Sequence, residues 1–226
     1  MVLTAGGDDR AQARRALEEL CQTYWYPLYA FVRRQGRSPE EAQDLTQEFF
    51  ARLIAQHYLG AVDRAKGKFR SFLLGSLKHF LANEWDKARA QKRGGAHSLI
   101  ALDAQAAERR YALEPAHELS ADRIFERRWA LTVLERVLTR LREEHSRAGK
   151  AKLFDRLKDF LVGRAEQDSH ARAAAELGMS EGAVKAAIHR LRQHYRERLR
   201  AEIANTVAAP SEVEDELRHL FAALSG

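Results

Sequence analysis

Cysteine is nearly absent from this 226-residue chain. The single Cys21 excludes a disulfide framework and a cysteine-rich zinc site, and it fits a reducing cytosol. Long apolar runs are missing too. No stretch of eighteen or more hydrophobic residues occurs, which argues against a transmembrane helix, and the opening MVLTAGGDDRAQARR is too polar for a secretory signal. Proline (4) and glycine (13) are sparse among many Ala, Leu, Arg and Glu, which disfavours a turn-rich β protein and favours helix. The hydrophobic share of 45% suffices for packed cores, so wholesale disorder is excluded. Cations outnumber anions, 38 Lys and Arg against 32 Asp and Glu, for a net charge of +6.

Hydrophobic spacing is helical almost throughout, and no segment alternates with period two. It predicts helices over about 10–35, 39–55, 68–91, 121–146, 150–163, 170–177 and 181–207. Ser38-Pro39-Glu40-Glu41 reads as a helix start, with Ser38 as N-cap, Pro39 in the first turn and carboxylates near the positive dipole end. Ser180 is a second N-cap candidate. Between about 94 and 120 the periodicity fades, and Gly94-Gly95 and Glu114-Pro115 read as punctuation. The expectation is an all-α protein of two helical domains joined by a flexible linker: domain one at 1–95, linker at 96–120, domain two at 121–201, and an amphipathic extension at 202–226.

Charge is concentrated in two places. Residues 61–95 hold nine Lys/Arg against three Asp/Glu, and residues 146–200 hold thirteen against seven. Two basic patches on two domains suit a partner with extended negative charge better than a small anion.

The sharpest local pattern is a short helix (169–177), Gly178-Met179-Ser180, and a long second helix, which is helix-turn-helix spacing. On the second helix Val184, Ile188, Leu191, Tyr195 and Leu199 form an apolar stripe. The opposite face presents Lys185, Ala186, His189, Arg190 and Gln193, flanked by Arg192 and Arg196, a mix able to reach base edges and phosphates. An ordinary helical hairpin with a solvated basic face is the plainer alternative.

In the 68–91 helix, Phe69, Phe72, Leu73, Leu77, Phe80 and Leu81 form a broad apolar face surrounded by Lys66, Lys68, Arg70, Lys78, Lys87, Arg89, Lys92 and Arg93. Aromatics interleaved with cations suit a surface for single-stranded nucleic acid, with Trp85 as the candidate exposed platform. Core packing accounts for most of those rings. The 39–55 helix buries Ala42, Leu45, Phe49 and Leu53 and is expected to show Glu41, Asp44, Gln47 and Glu48 outward. That strip is either a docking face for a basic partner or a solvated surface. No metal-binding histidine spacing, phosphate-cradling glycine loop or nucleophile elbow occurs. The expectation is therefore a protein without enzymatic activity, metal or cofactor.

These motifs, in this order, resemble bacterial sigma factors of the sigma-70 family, specifically the two-domain extracytoplasmic-function (ECF) type. Glu41-Ala42-Gln43-Asp44-Leu45-Thr46-Gln47-Glu48-Phe49-Phe50 is similar to the region-two helix that docks on RNA polymerase. Phe69 to Leu74, followed by Asn83-Glu84, resembles the promoter-melting stretch, with His79 where such factors often carry Asn. Leu177 to Lys185 and Ile188 to Arg192 resemble the region-four helix-turn-helix. The resemblance implies a cytoplasmic, non-enzymatic partner of core RNA polymerase and promoter DNA, and it leaves an anti-sigma protein as a candidate further partner. It implies polymerase contact through Glu41, Asp44, Gln47 and Glu48. It implies contact with opened DNA around Lys78, His79, Asn83 and Trp85, and duplex reading by Arg172, Ser180, Lys185, Ala186, His189, Arg190, Arg192 and Gln193. A polymerase-independent helix-turn-helix regulator is the rival reading, and a nucleic-acid hydrolase a more distant one. The apolar stripe of the extension (Leu217, Leu220, Phe221, Leu224) either packs back on the protein or binds a partner.

Overall fold

The computed structural model describes residues 23–55, 68–90, 104–113, 119–161 and 169–225. Every regular element among them is helical. Helix α1 covers residues 23–34. It is followed by α2 (Pro39–Ala55), α3 (Phe69–Ala90), α4 (Ala104–Tyr111), α5 (Ala121–Arg147), α6 (Ala151–Leu157), α7 (Ser169–Leu177), α8 (Glu181–Ala204) and α9 (Val213–Leu224). Cys21, Lys66, Lys92 and Arg93 lie outside the described residues, as do positions 10–22 of the first expected helix.

The described residues form two compact units. One contains those up to Thr132 and those from Ile203 onward, and the other runs from Val133 to Glu202. The divisions fall inside α5 and α8, whereas the sequence suggests boundaries at 95, 120 and 201.

In the first unit, residues 23–32 of α1 are buried around the whole circumference of the helix. Trp25 stacks on Tyr29 with ring centroids 5.1 Å apart. Phe49 of α2 meets Phe80 of α3 at 5.8 Å, and Phe50, Leu53, Leu73 and Leu77 fill the space behind them. The start of α2 forms by the expected chemistry: Ser38 Oγ accepts from the Glu41 amide (3.2 Å), and the Ser38 amide donates to Glu41 Oε2 (3.0 Å). Ile124, Phe125 and Trp129 of α5 and Val213, Leu217 and Leu220 of α9 are buried in the same unit. The amphipathic C-terminal stretch therefore packs on its own chain.

Within 96–120, where the sequence suggests a linker, eight residues form α4. Its Ala107 is buried, and Glu108 accepts from Tyr29 Oη (2.5 Å) and from Arg33 Nε (3.0 Å) and Nη2 (2.7 Å). Arg110 lies over the Tyr26 ring at 4.4 Å. Polar and cation–π contacts hold this helix, and its eight residues carry few apolar side chains, so the segment reads as a linker.

In the second unit, Val133, Val137 and Leu141 of α5 share a core with Phe154, Leu157 and Phe160, with Ala173 and Ala174 of α7, and with Val184, Ile188, Leu191 and Leu199 of α8. Helix α7 ends in paired reversal bonds, Met179 N–H to Ala174 O (2.9 Å) and Gly178 N–H to Ala175 O (3.4 Å), with Gly178 at φ +63°. A side chain is strained at that φ, which explains a glycine there. Ser180 then caps α8: its Oγ accepts from the Ala183 amide (3.2 Å), and its carbonyl accepts from Val184 N–H (3.0 Å).

Candidate functional site

The second unit exposes one continuous polar face on α8. Lys185, Ala186, His189, Arg190 and Gln193 all lie outward, opposite the buried Val184–Ile188–Leu191–Leu199 stripe. Neither Lys185 nor His189 has a hydrogen-bonding or ionic partner among the described residues, so their polar atoms remain available. Gln193 bonds only along its own helix, to Glu197 (3.1 Å). Arg192 is partly committed: its Nη2 donates to the Phe160 carbonyl at 3.0 Å, fixing the end of the 3-10 turn Lys158–Phe160. Arg172 is exposed on α7 and lies 3.6 Å from Glu176, a carboxylate that Arg156 also holds. Ser180 spends its hydroxyl on the α8 cap. Tyr195 is half-buried, and burial pushes its phenol up to about 12, so it stays neutral at physiological pH.

A groove of about 230 Å³ beside this face was not evident in the sequence. Leu153, Phe154, Leu157 and Leu191 line it together with His145, Lys150, Arg190 and His194. His194 is held by Glu144 at 3.2 Å, and Arg198 pairs with the same carboxylate at 2.9 Å.

In the first unit, His79 and Asn83 of α3 are exposed and share a groove of about 400 Å³ with Ser76 and with Phe49, Arg52 and Leu53 of α2. Phe80 supplies its apolar floor, and the Arg52 guanidinium lies 4.8 Å from the centre of that ring. Arg52 is tied to Glu48 and to Glu84 (2.9 Å). A groove that combines apolar side chains with an imidazole and an amide can take a partly apolar, hydrogen-bonding group. Arg52 and Ser76, which complete that groove, are not marked in the sequence because their roles depend on how α2 packs against α3.

Trp85 is 55% exposed, and Arg37 lies over its ring at 4.8 Å while also facing Glu41 at 3.8 Å. Lys78 is exposed but paired with Asp122 of α5. The basic residues at the head of α3 are more deeply committed. Lys68 lies 2.9 Å from Glu216, and Arg70 is bound by Glu216 and Glu126 beside the Trp129 ring.

The acidic face of α2 differs from expectation at one residue. Glu41, Asp44 and Glu48 are exposed, whereas Gln47 is buried at 6% exposure. At 100° per residue Gln47 falls on the flank of buried Phe50, so the broad core face set by Thr46, Phe49, Phe50 and Leu53 takes it in. Leu45, expected inside, is only half-buried for the same rotational reason. Asp44 has no ionic or hydrogen-bonding partner among the described residues, while Glu48 pairs with Arg52 and Glu41 with Ser38 and Arg37.

Among the described residues no three His, Cys, Asp or Glu side chains are grouped to hold a metal ion, and no helix is long and apolar enough to cross a membrane. The family model described as sigma-70 region 2 matches residues 20–91, a span that includes all of α2 and α3. Comparison with the curated proteins and with the solved structures yields no match. The α2 strip, the α2–α3 groove and Trp85 thus lie inside the matched segment, and the α8 face lies outside it.

Proposed function

We infer that this chain is a sigma factor of the ECF type, a non-enzymatic cytoplasmic subunit that gives core RNA polymerase its promoter specificity. The observation carrying the reading is the sigma-70 region 2 match over 20–91, in the same chain as a capped second helix whose outward face is basic.

Each surface then has a role. Asp44, with Glu41 and Glu48, docks on a basic face of polymerase; Gln47 takes no direct part, being buried. The groove lined by His79 and Asn83 receives an unstacked base of the opened promoter, with Trp85 alongside as a stacking surface. Lys185, Ala186, His189 and Arg190 enter the major groove of the upstream element, Arg172 and Arg192 lying close to the backbone. Phosphate contacts supply salt-dependent affinity, and the few base contacts specify.

The direct test mixes the purified chain with core RNA polymerase and assays transcription from a genomic promoter library. Promoter-dependent transcripts are expected, and Asp44→Arg should abolish capture of core enzyme while leaving the helical content unchanged, because Asp44 is exposed. Undiminished co-purification of Asp44→Arg with core enzyme contradicts the docking assignment. A stable homodimer that binds a palindromic duplex without polymerase would support a polymerase-independent regulator instead.

A further inference from the structure

Lys68, Arg70 and Lys78 are among the cations that the sequence sets around the apolar face of α3, where they suit a nucleic-acid backbone. In the folded chain all three are taken by the protein's own carboxylates. Lys78 is paired with Asp122, Lys68 with Glu216, and Arg70 with both Glu126 and Glu216. Glu216 belongs to α9, which lies 146 residues beyond Arg70 in the chain.

The geometry of that contact resembles phosphate binding. Arg70 presents Nε to one Glu216 oxygen at 2.6 Å and Nη2 to the other at 3.4 Å, while Lys68 reaches the second oxygen at 2.9 Å. A guanidinium edge and an ammonium converging on two oxygens of one anion is the arrangement that a backbone phosphate accepts. The carboxylate is fully buried and Arg70 is 4% exposed, so α9, together with Glu126 of α5, withholds Arg70 from any outside anion, while Lys68, a quarter exposed, has its ammonium engaged by Glu216.

The cover is a single short helix held by aliphatic packing and by the ion pairs of Glu216 and His219. Helix α9 has twelve residues, a length marginal for an isolated helix in water, so it depends on docking to stay folded. Val213, Leu217 and Leu220 are its buried aliphatics, and Phe221 remains 52% exposed. The segment ahead of it contributes one backbone bond to α3, from Phe69 N–H to Thr206 O at 3.1 Å.

We propose that the C-terminal segment from Ile203 onward is an internal competitor of the opened DNA strand, with the Glu216 carboxylate occupying the place of a backbone phosphate at Lys68 and Arg70. Docking of α9 and gripping of a single strand by the head of α3 then exclude each other. The proposal rests on the reading of α3 as a strand-binding helix.

The test uses full-length protein and a fluorescently labelled single-stranded DNA oligonucleotide, with anisotropy measured across a salt series. Glu216→Gln keeps the size of the side chain but removes its charge. Glu214→Gln removes the same charge from an exposed position of α9 and controls for net charge. Glu216→Gln is expected to bind about tenfold tighter than Glu214→Gln, with a salt slope steeper by about 0.7, the value for one single-strand phosphate contact. Equal affinity and slope in the two variants overturn the proposal. In the unaltered protein, saturating oligonucleotide should speed amide hydrogen exchange in residues 213–224 at least tenfold, and unchanged or slower exchange there overturns it as well. Promoter-directed transcription with core polymerase stands apart from both measurements. If transcription succeeds while α9 neither competes nor opens, the sigma reading survives and this inference alone fails.

Discussion

Glu216 of α9 and Arg70 of α3 form a buried ion pair, Oε1 to Nε 2.6 Å, with at most 4% of either side chain in contact with solvent. Removing one partner strands the other charge in the core. Arg70→Ala or Glu216→Ala should each destabilise the first unit by about 3–5 kcal/mol, measured by chemical denaturation. The paired change Arg70→Met with Glu216→Leu removes both charges of the pair and should cost less than the sum of the two single changes, although Glu126 and Lys68 lose those partners. A double variant as unstable as the sum of the singles contradicts this account.

Acid sensitivity should trace in part to Glu108. Hydrogen bonds from Arg33 hold its carboxyl below the usual value of 4.5, against the opposing effect of burial. A depressed folded-state value means the stabilisation is present above about 4.5 and disappears as the pH falls through the folded value. Glu108→Gln should therefore be less stable than the parent at pH 7, by no more than about 1 kcal/mol because the pair is partly solvated. The difference should shrink towards pH 3. Glu126 behaves oppositely: burial, reinforced by the Glu216 charge, raises its carboxyl despite Arg70. Its contribution is favourable at low pH and disappears as the pH rises through the folded value.

Two glycines with equal open space around them should respond with opposite signs. Gly178 sits at φ +63°, and a Cβ there meets nothing within 4 Å, so Gly178→Ala costs only backbone strain, about 1 kcal/mol. Gly182 is within α8 and has the same free surroundings, so Gly182→Ala should stabilise by roughly 0.5 kcal/mol through helix propensity. Thermal unfolding of both variants checks the pair, and a stabilising Gly178→Ala would remove the turn argument.

Duplex reading by α8 should be salt-coded. Lys185→Ala and Arg190→Ala are each expected to weaken binding to upstream-element DNA by roughly tenfold, and each variant that no longer neutralises a phosphate should show a salt slope shallower by about 0.9. Both side chains are exposed, so the fold should be unaffected. An unchanged footprint and slope in both variants would exclude α8 as the reading helix.

The parts of this structure legible in the sequence are those whose causes are local. Ser38, Pro39 and Glu41 form a capping box within four residues, and α2 starts there. The spacing of Val184, Ile188, Leu191 and Leu199 defines one buried face of α8 and so places Lys185 and His189 on the other. Helix α4 escapes notice because a Tyr–Glu–Arg cluster and cation–π contacts hold it, and its eight residues carry few apolar side chains to mark it.

The chain alone thus determined the helical class, most helix boundaries and the exposed character of the α8 face, since capping and amphipathic periodicity act over one to a few turns. Tertiary packing decided the rest: that Gln47 is drawn inside beside Phe50, that α4 belongs with α1, and that Arg70 is enclosed by Glu126 and Glu216. A charge can be buried only where its counter-charge is brought to it. When that counter-charge lies 146 residues away, nothing in the local sequence announces the meeting.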